Sequence, residues 1–165
     1  MTILELKTKQ EYKEYYIEEY CNKQIYTFSG ILVKFYQNQF EHAFFESANH
    51  QKRDKSIFSI ERAKRMNWIK QVLEDKNSEI YIGWDRDKKK YNPTRRVSII
   101  SPENYVVVIN MITLNKAKFI TAYPASYTTA KKIRQAPKWQ NKNLTHRTGR
   151  ACGCGAPEPC CLHNK

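Results

Sequence analysis

The sequence predicts an α+β fold in which helices come first and are followed by a run of four antiparallel strands, a short C-terminal helix and an irregular tail. The strongest observation is the stretch YVVVINMITLNKAKFITAYP at residues 105–124, where two runs of β-branched and aromatic residues flank a polar turn. This pattern predicts a β-hairpin at the middle of the sheet. Since apolar residues occupy successive rather than alternate positions, we expect both faces of the hairpin to be covered.

A second observation is the periodicity of residues 59–74. Apolar side chains recur there at intervals of three and four, Ser59 stands at the N-cap position, and Glu61 lies in the first turn, where the helix dipole favours a carboxylate. We therefore predict one helix over the whole stretch. Residues 4–20 and 37–49 carry weaker helical patterns, and the β-rich residues 30–36 are interpreted as the first strand.

A third observation is the succession of strand and turn signals after this helix. Residues 79–84 and 95–100 are predicted strands separated by a charged turn, and residues 126–135 have the apolar spacing of a final helix. Residues 136–165 show no periodicity. We interpret residues 1–135 as one domain, with its core at residues 29–135, and residues 136–165 as a basic tail that ends in a cysteine cluster.

The charge balance points to a class of partner. The 165 residues carry a net charge of +13, from 29 Lys and Arg against 16 Asp and Glu. Such an excess attracts phosphate-rich molecules, so nucleic acid is the leading partner class. A ribosome-style structural role, an acidic protein partner or solubility alone would also account for the charge. The absence of long apolar runs and of a secretory signal in the sequence disfavours a membrane span and predicts a cytoplasmic location.

The charge is also unevenly placed along the chain. Residues 131–150 contain seven Lys or Arg and no acid, whereas the first twenty residues contain five Glu and three Lys. We therefore expect one strongly basic face and an opposite face with less positive charge. The acidic pairs Asp85 with Asp87 and Glu74 with Asp75 are interpreted as solvated charge, which disfavours a two-metal nuclease site. The sequence has no glycine-rich phosphate loop and no GxSxG motif.

The residues that remain can support ribonuclease chemistry without a metal ion, because the 2′-hydroxyl of RNA is itself the nucleophile. A base removes its proton, an acid protonates the leaving 5′-oxygen, and cations stabilise the charged phosphorane. Histidine suits either proton transfer, and the chain has four: His42, His50, His146 and His163. His42 is the first candidate, with a partly buried structural histidine as the alternative; His50 lies in a polar loop and is either a second imidazole or a surface residue.

Three pieces of the sequence resemble a known group of nucleases. FEHAFFES, FSIERAKRMNWIKQVLED and the strand ending in FITAYP, followed by a Lys/Arg-rich helix, are similar to the phage-associated branch of the superfamily that groups barnase, EndoU, colicin nucleases and RelE toxins. The resemblance covers residues 29–139. It implies N-terminal helices packed on a four- or five-stranded antiparallel sheet, and a metal-independent endoribonuclease acting on tRNA or mRNA, often as a toxin with an antitoxin or immunity protein.

The resemblance also implies roles for individual residues. His42 would be the catalytic acid or base, and Thr121 and Tyr123 would face it across a groove, orienting phosphate or assisting proton transfer. EndoU-type sites use two histidines and a lysine, and only His50 could supply the second imidazole here. The basic residues that we consider for phosphate contact, with solvated charge as the alternative for each, are Lys52, Arg53, Arg62, Arg95, Arg96, Lys131, Lys132 and Arg134.

The tail packs four cysteines and a histidine into twelve positions: Cys152, Cys154, Cys160, Cys161 and His163. In a reducing cytosol such crowding favours zinc over disulfides. The order C-x-C-G…C-C resembles the small zinc motif at the end of SecA, with a shorter loop between the two pairs. We therefore expect either a structural Zn²⁺ or a disordered cysteine-rich tail, and no cofactor for catalysis.

Three hypotheses about function follow from the sequence. The first is the endoribonuclease. The second is a non-catalytic nucleic-acid-binding protein in which Trp139, Tyr123 and Tyr127 stack on bases while the basic residues contact phosphate. The third is an accessory subunit whose basic face meets an acidic antitoxin.

Overall fold

The structure, a computed structural model, describes residues 2–47, 56–85, 89–92 and 96–140. Its helical segments are α1 (Lys9–Tyr16), a π-helical turn (Ile17–Cys21), α2 (Gln39–Phe44), α3 (Ile60–Ala63), α4 (Met66–Glu74) and α5 (Tyr127–Arg134). Its strands are β1 (Ile25–Tyr26), β2 (Leu32–Lys34), β3 (Phe45–Glu46), β4 (Ile57–Phe58), β5 (Glu79–Ile82), β6 (Trp84–Asp85), β7 (Lys90–Tyr91), β8 (Arg96–Ile100), β9 (Tyr105–Thr113) and β10 (Lys116–Pro124). The fold is α+β, as predicted.

The main sheet has six strands in the order β1-β2-β10-β9-β8-β5. The β9–β10 hairpin lies at its middle, as predicted. The sheet is wider than the four or five strands expected, and it is mixed rather than antiparallel, because β2 runs parallel to β10. Two short ribbons, β3–β4 and β6–β7, lie outside it.

One face of the main sheet, which we call the helical face, carries most of the core. Tyr16 lies at its centre, in ring contact with the aromatic residues Tyr20, Phe35, Phe40, Phe44 and Phe119. Burying side chains of this size contributes about 1.5–3 kcal/mol each. The hydroxyls of Tyr12, Tyr20 and Tyr105 donate to the backbone carbonyls of Leu4, Met66 and Arg65, which satisfies the only polar atom of each buried ring.

The second face is only partly covered. Ala130 and Ile133 of α5 belong to or pack against a smaller cluster with Val106, Val108 and Ile100 of the sheet. Beyond Ile109, the residues of β9 change from buried to half-buried and then exposed. We call the part of the second face outside α5 the open half. The expectation that both faces of the hairpin are covered is therefore correct for the half near α5 and wrong for the open half.

The segment after α5 is attached to the edge of the sheet. The Ile82 N–H donates to the Pro137 carbonyl at 2.9 Å, and the Trp139 N–H donates to the Ile80 carbonyl at 3.0 Å. Lys138 Nζ lies 3.3 Å from Glu79 Oε1. Residues 136–139 therefore extend the sheet beyond β5 and keep α5 against the second face.

Three helices differ from their predicted bounds. Helix α1 begins at Lys9, after an N-cap at Thr8, rather than at residue 4. Helix α2 covers only Gln39–Phe44 of the predicted stretch 37–49 and is followed directly by β3. The stretch 59–74 is split between α3 and α4, and the Ser59 hydroxyl donates to Glu46 Oε1 at 3.0 Å instead of making a capping bond. None of the helices in the described ranges is long and apolar enough to span a bilayer.

Candidate nucleic-acid interface

The open half carries four polar side chains in one row across four strands. Arg96 on β8 lies opposite Asn110 on β9, Asn110 lies opposite Lys118 on β10, and Lys118 lies opposite Lys34 on β2. Their neighbours along each strand belong to or pack against the core of the helical face, so the four side chains project from the other face. We call these four residues the basic row. With neighbouring strands about 4.8 Å apart, the row spans about 14 Å.

The charges of the basic row have no acidic counterpart among the residues described. None of the ion pairs in the described ranges includes Lys34, Lys118 or Arg96. Lys34 and Lys118 are directly opposite on adjacent strands, an arrangement of like charges that destabilises a sheet. Lys118 Nζ lies 5.4 Å from the centroid of the Tyr36 ring, whose π-electrons compensate part of this cost. An anion bound between the two lysines would remove the repulsion.

Gly83 provides the space that the Arg96 side chain occupies. A Cβ built at Gly83 would lie 2.5 Å from Arg96 Cγ and 3.0 Å from Arg96 Cβ. The Gly83 N–H donates to the Arg96 carbonyl at 2.7 Å, so the two backbones are held together at this point. Any side chain at residue 83 would therefore displace the end of the basic row.

Thr121 and Tyr123 lie on the same face as the basic row. Thr121 is opposite Val108, and Tyr123 is opposite Val106, two and four residues along β9 from Asn110. At about 3.4 Å per residue, these positions are about 7 and 14 Å from the row. Tyr123 packs against the cluster beneath α5 and is half-buried. The two hydroxyl side chains thus extend the polar surface from the basic row toward α5.

A β-bulge in β10 decides on which face they lie. Phe119 pairs with Ile109 and Thr121 pairs with Val108, so Ile120 is an extra residue without its own partner on β9. Phe119 and Ala122 both belong to the core of the helical face, although they are three residues apart. The bulge therefore turns Thr121 and Tyr123 onto the second face.

His42 lies in the helical layer. It is an exposed residue of α2, whose buried side chains Phe40 and Phe44 pack into the core of the helical face. Because the sheet separates this layer from the second face, the structure does not bring His42 together with Thr121 or Tyr123. The prediction that His42 faces Thr121 and Tyr123 across a groove is wrong, because the bulge turns these two side chains onto the second face.

Three of the residues considered for nucleic-acid contact hold the fold together. Arg62 Nε lies 3.0 Å from Glu46 Oε1, and its guanidinium also donates to the Ala43 carbonyl. Trp139 packs against the core of the helical face. The guanidinium of Arg134 donates to Glu79, to the Asn104 side chain and to the Ser101 carbonyl. Arg96 and the exposed Lys131 and Lys132 of α5 remain as candidates on the second face.

Glu79 joins α5 and the following segment to the sheet. Burial by itself raises the pKa of this carboxyl, but hydrogen bonds from Tyr81, Lys138 and Arg134 together hold the pKa below its usual range. Burial first, and then the Glu79 carboxylate, raise the pKa of Tyr81. The cluster is therefore charged at neutral pH and fixes the cover of the second face.

Several predicted site residues lie outside the described residues: His50, Lys52, Arg53, Arg95, Cys152, Cys154, Cys160, Cys161 and His163. Their roles stay predictions. Within the ranges that the structure does describe, no three His, Cys, Asp or Glu side chains are grouped as metal ligands.

Lys34, Lys118 and Asn110 were missed by sequence reasoning. Each is a polar residue between or beside apolar residues that face the helices, and this alternation is the signal that could have identified them.

Comparison of the chain with protein-family models, with curated proteins and with solved structures finds no match.

Proposed function

We propose that the open half of the sheet binds RNA and that its basic row contacts the phosphates. The observation that carries this proposal is the alignment of three cations and one amide across four strands, with no carboxylate paired to them in the described structure. Each cation that neutralises a phosphate releases condensed counterions, which favours binding and makes it dependent on salt. The net charge of +13 acts in the same direction.

We further propose that the chain cleaves the bound RNA without a metal ion, with Thr121 and Tyr123 beside the scissile phosphate. The 2′-oxygen attacks phosphorus, its proton passes to a base, and the bond from phosphorus to the 5′-oxygen breaks as that oxygen takes up a proton. A 2′,3′-cyclic phosphate and a free 5′-hydroxyl are the products. Lys118 and Lys34 are the cations of the basic row nearest to Thr121 by the register of the sheet, and they can stabilise the charged phosphorane.

The support for cleavage is separate from the support for binding. It consists of the resemblance of residues 29–139 to metal-independent ribonucleases and of the position of Thr121 and Tyr123 on the same face as the basic row. The position of His42 in the helical layer favours the second candidate function, an RNA-binding protein that does not cleave. The described residues of the open half include no histidine, so we assign the proton transfer on this face to Tyr123, which lies at the border between the open half and α5.

Incubation of the purified chain with total RNA in EDTA, followed by mapping of the RNA ends, tests cleavage. We expect fragments that end in a cyclic phosphate. Since acid–base groups contribute about 10²- to 10⁴-fold, Tyr123→Phe should lower the rate at least about a hundredfold with RNA affinity unchanged, whereas His42→Ala should retain the native rate. Native protein that binds RNA and leaves it intact would establish the binding function alone, and a His42→Ala variant that binds without cleaving would place the chemistry in the helical layer.

A further inference from the structure

The short β6–β7 ribbon presents two aromatic rings to solvent. Trp84 and Tyr91 lie directly opposite each other, with ring centroids 5.1 Å apart and planes at 82°. The two residues are 48% and 42% exposed. A single exposed aromatic residue is ordinary, but two that contact each other on a ribbon outside the main sheet form a contiguous exposed patch, and such patches mark binding sites. We call this ribbon the aromatic arm.

The aromatic arm begins at the end of the basic row. The Gly83 N–H donates to the Arg96 carbonyl at 2.7 Å, and the Asn92 N–H donates to the Gly83 carbonyl at 3.2 Å. Trp84 follows Gly83 and Tyr91 precedes Asn92, so both rings are close in sequence to the backbone that is bonded to Arg96. A chain whose phosphates follow the basic row therefore reaches the two rings as it leaves the sheet.

The arm also carries cations. Lys89 and Lys90 precede Tyr91 and are exposed, and the backbone of Asp85 lies opposite Lys90 on the ribbon. Exposed aromatic rings next to cations form the usual surface for unpaired bases, since every base has a π-face and the adjacent phosphates need positive charge. Base pairs in a duplex offer no free face for such stacking except at their ends.

A purely structural role is the competing explanation. An edge-to-face pair stabilises a ribbon of two residue pairs that would otherwise be marginal. This role needs the two rings to contact each other, but it does not need either ring to be half exposed or to adjoin the residues whose backbone is bonded to Arg96. The position and the exposure of the pair are what the structural role leaves unexplained.

We propose that the aromatic arm is a stacking site for unpaired bases, so that the preferred ligand of the basic row is single-stranded RNA. The proposal rests on the proposed RNA binding at the open half. Phosphates bound along the row would place the next bases at Trp84 and Tyr91, and a duplex would gain only the phosphate contacts. The arm therefore adds a preference for strand type that the cations alone cannot provide.

The test compares two 2′-O-methyl RNA probes of equal length, which attack by the 2′-oxygen cannot cleave, a single-stranded oligouridylate and a perfect duplex, with the full chain. The variants are Trp84→Ala, Tyr91→Ala and Trp84→Phe. Base stacking on one ring corresponds to roughly tenfold in affinity. We expect each alanine variant to bind the single strand roughly tenfold more weakly and the duplex as the native chain does, and Trp84→Phe to retain affinity for both probes.

A second measurement reports on the ring itself. Titration of the single strand should quench tryptophan fluorescence in the native chain, and most of this quenching should be lost in Trp84→Phe although affinity is kept. Equal losses for single strand and duplex, or unchanged affinity in both alanine variants, would overturn the stacking site and leave the basic row standing. If the native chain binds neither probe, the proposed RNA binding fails together with the arm.

Discussion

Removal of two charges from the basic row should weaken RNA binding and stabilise the free protein. Lys34 and Lys118 are directly opposite on neighbouring strands, and no carboxylate of the described residues pairs with either. The double variant Lys34→Gln with Lys118→Gln keeps the polar surface and most of the side-chain length. The variant removes the two positive charges and, with that of Lys118, the interaction with the Tyr36 ring.

The expected weakening of binding follows from counterion release. For single-stranded nucleic acid, the slope of log affinity against log salt falls by about 0.7 for each phosphate that is no longer neutralised, so the double variant should lower it by about 1.4. The counterion contribution vanishes at 1 M salt, so the native chain and the double variant should bind equally there. At 0.15 M salt the double variant should then bind about tenfold more weakly than the native chain. Removal of two charges elsewhere on the chain should not produce this change.

The expected gain in stability is smaller and differs between the two lysines. Like charges placed opposite each other in a sheet cost a few tenths to about 1 kcal/mol. Lys34→Gln removes that cost, whereas Lys118→Gln also removes the interaction with the Tyr36 ring, which contributes about 0.5–1 kcal/mol at an exposed site. We therefore expect Lys34→Gln to raise the free energy of unfolding and Lys118→Gln to leave it nearly unchanged.

Affinity for a short 2′-O-methyl oligouridylate, measured at four salt concentrations, and urea unfolding without RNA provide the two readouts. The matched control is Lys7→Gln with Lys13→Gln, since both lysines lie on or just before α1 in the helical layer. The reasoning fails if the control changes the salt slope as much as the double variant does. It also fails if Lys34→Gln unfolds at lower urea than the native chain, because the charge would then be stabilising the free sheet.

Three further variants test other contacts. Gly83→Ala forces a Cβ onto Arg96 Cγ and should lower the free energy of unfolding by about 1–3 kcal/mol, with partial recovery when Arg96→Ala is added, as a double-mutant cycle in urea would measure. Ser126→Ala removes the acceptor for the Thr129 N–H at the start of α5 and should cost about 1 kcal/mol in the same assay. Because the pKa of Glu79 is lowered in the folded chain, its carboxylate stabilises the fold above pH 4.5 and ceases to do so as the pH falls through the folded pKa. The difference in unfolding free energy between the native chain and Glu79→Gln should therefore be largest at neutral pH and shrink as the pH falls below 4.5; a difference that grows on acidification would contradict the assignment.

The central hairpin and the strand before it were predictable because their signal is local. Residues 105–124 and 96–100 are dense in β-branched residues, and the structure places β8, β9 and β10 there. The break between α3 and α4 was not predictable, because the apolar periodicity continues across it. The Lys64 carbonyl accepts from the Leu4 N–H, and the Arg65 carbonyl accepts from the Tyr105 hydroxyl as well as from the Trp68 N–H, so groups from other parts of the chain bond to the backbone at the break.

The basic row could not be predicted from local sequence patterns alone. Each of its residues is recognisable on its own strand as the polar member of an alternating pair. Their alignment depends on the register of three strand pairs, one of which joins β2 to β10 in parallel across most of the chain. A slip of one residue in any pair would move a side chain to the helical face. The sequence predicts such a row only once the pairing of the strands is known.

The position of the proposed site depends on one residue, Ile120. Strict alternation from the buried Phe119 would place Thr121 and Tyr123 on the helical face, where α2 carries His42, and this is the arrangement that the sequence led us to expect. The extra residue of the bulge reverses the alternation, so that the same two hydroxyls lie on the face of Lys118 and Asn110 instead. A bulge of this kind re-aims side chains without altering composition or periodicity. The bulge therefore places the residues of the proposed chemistry on the face of the sheet that carries the proposed phosphate-binding cations.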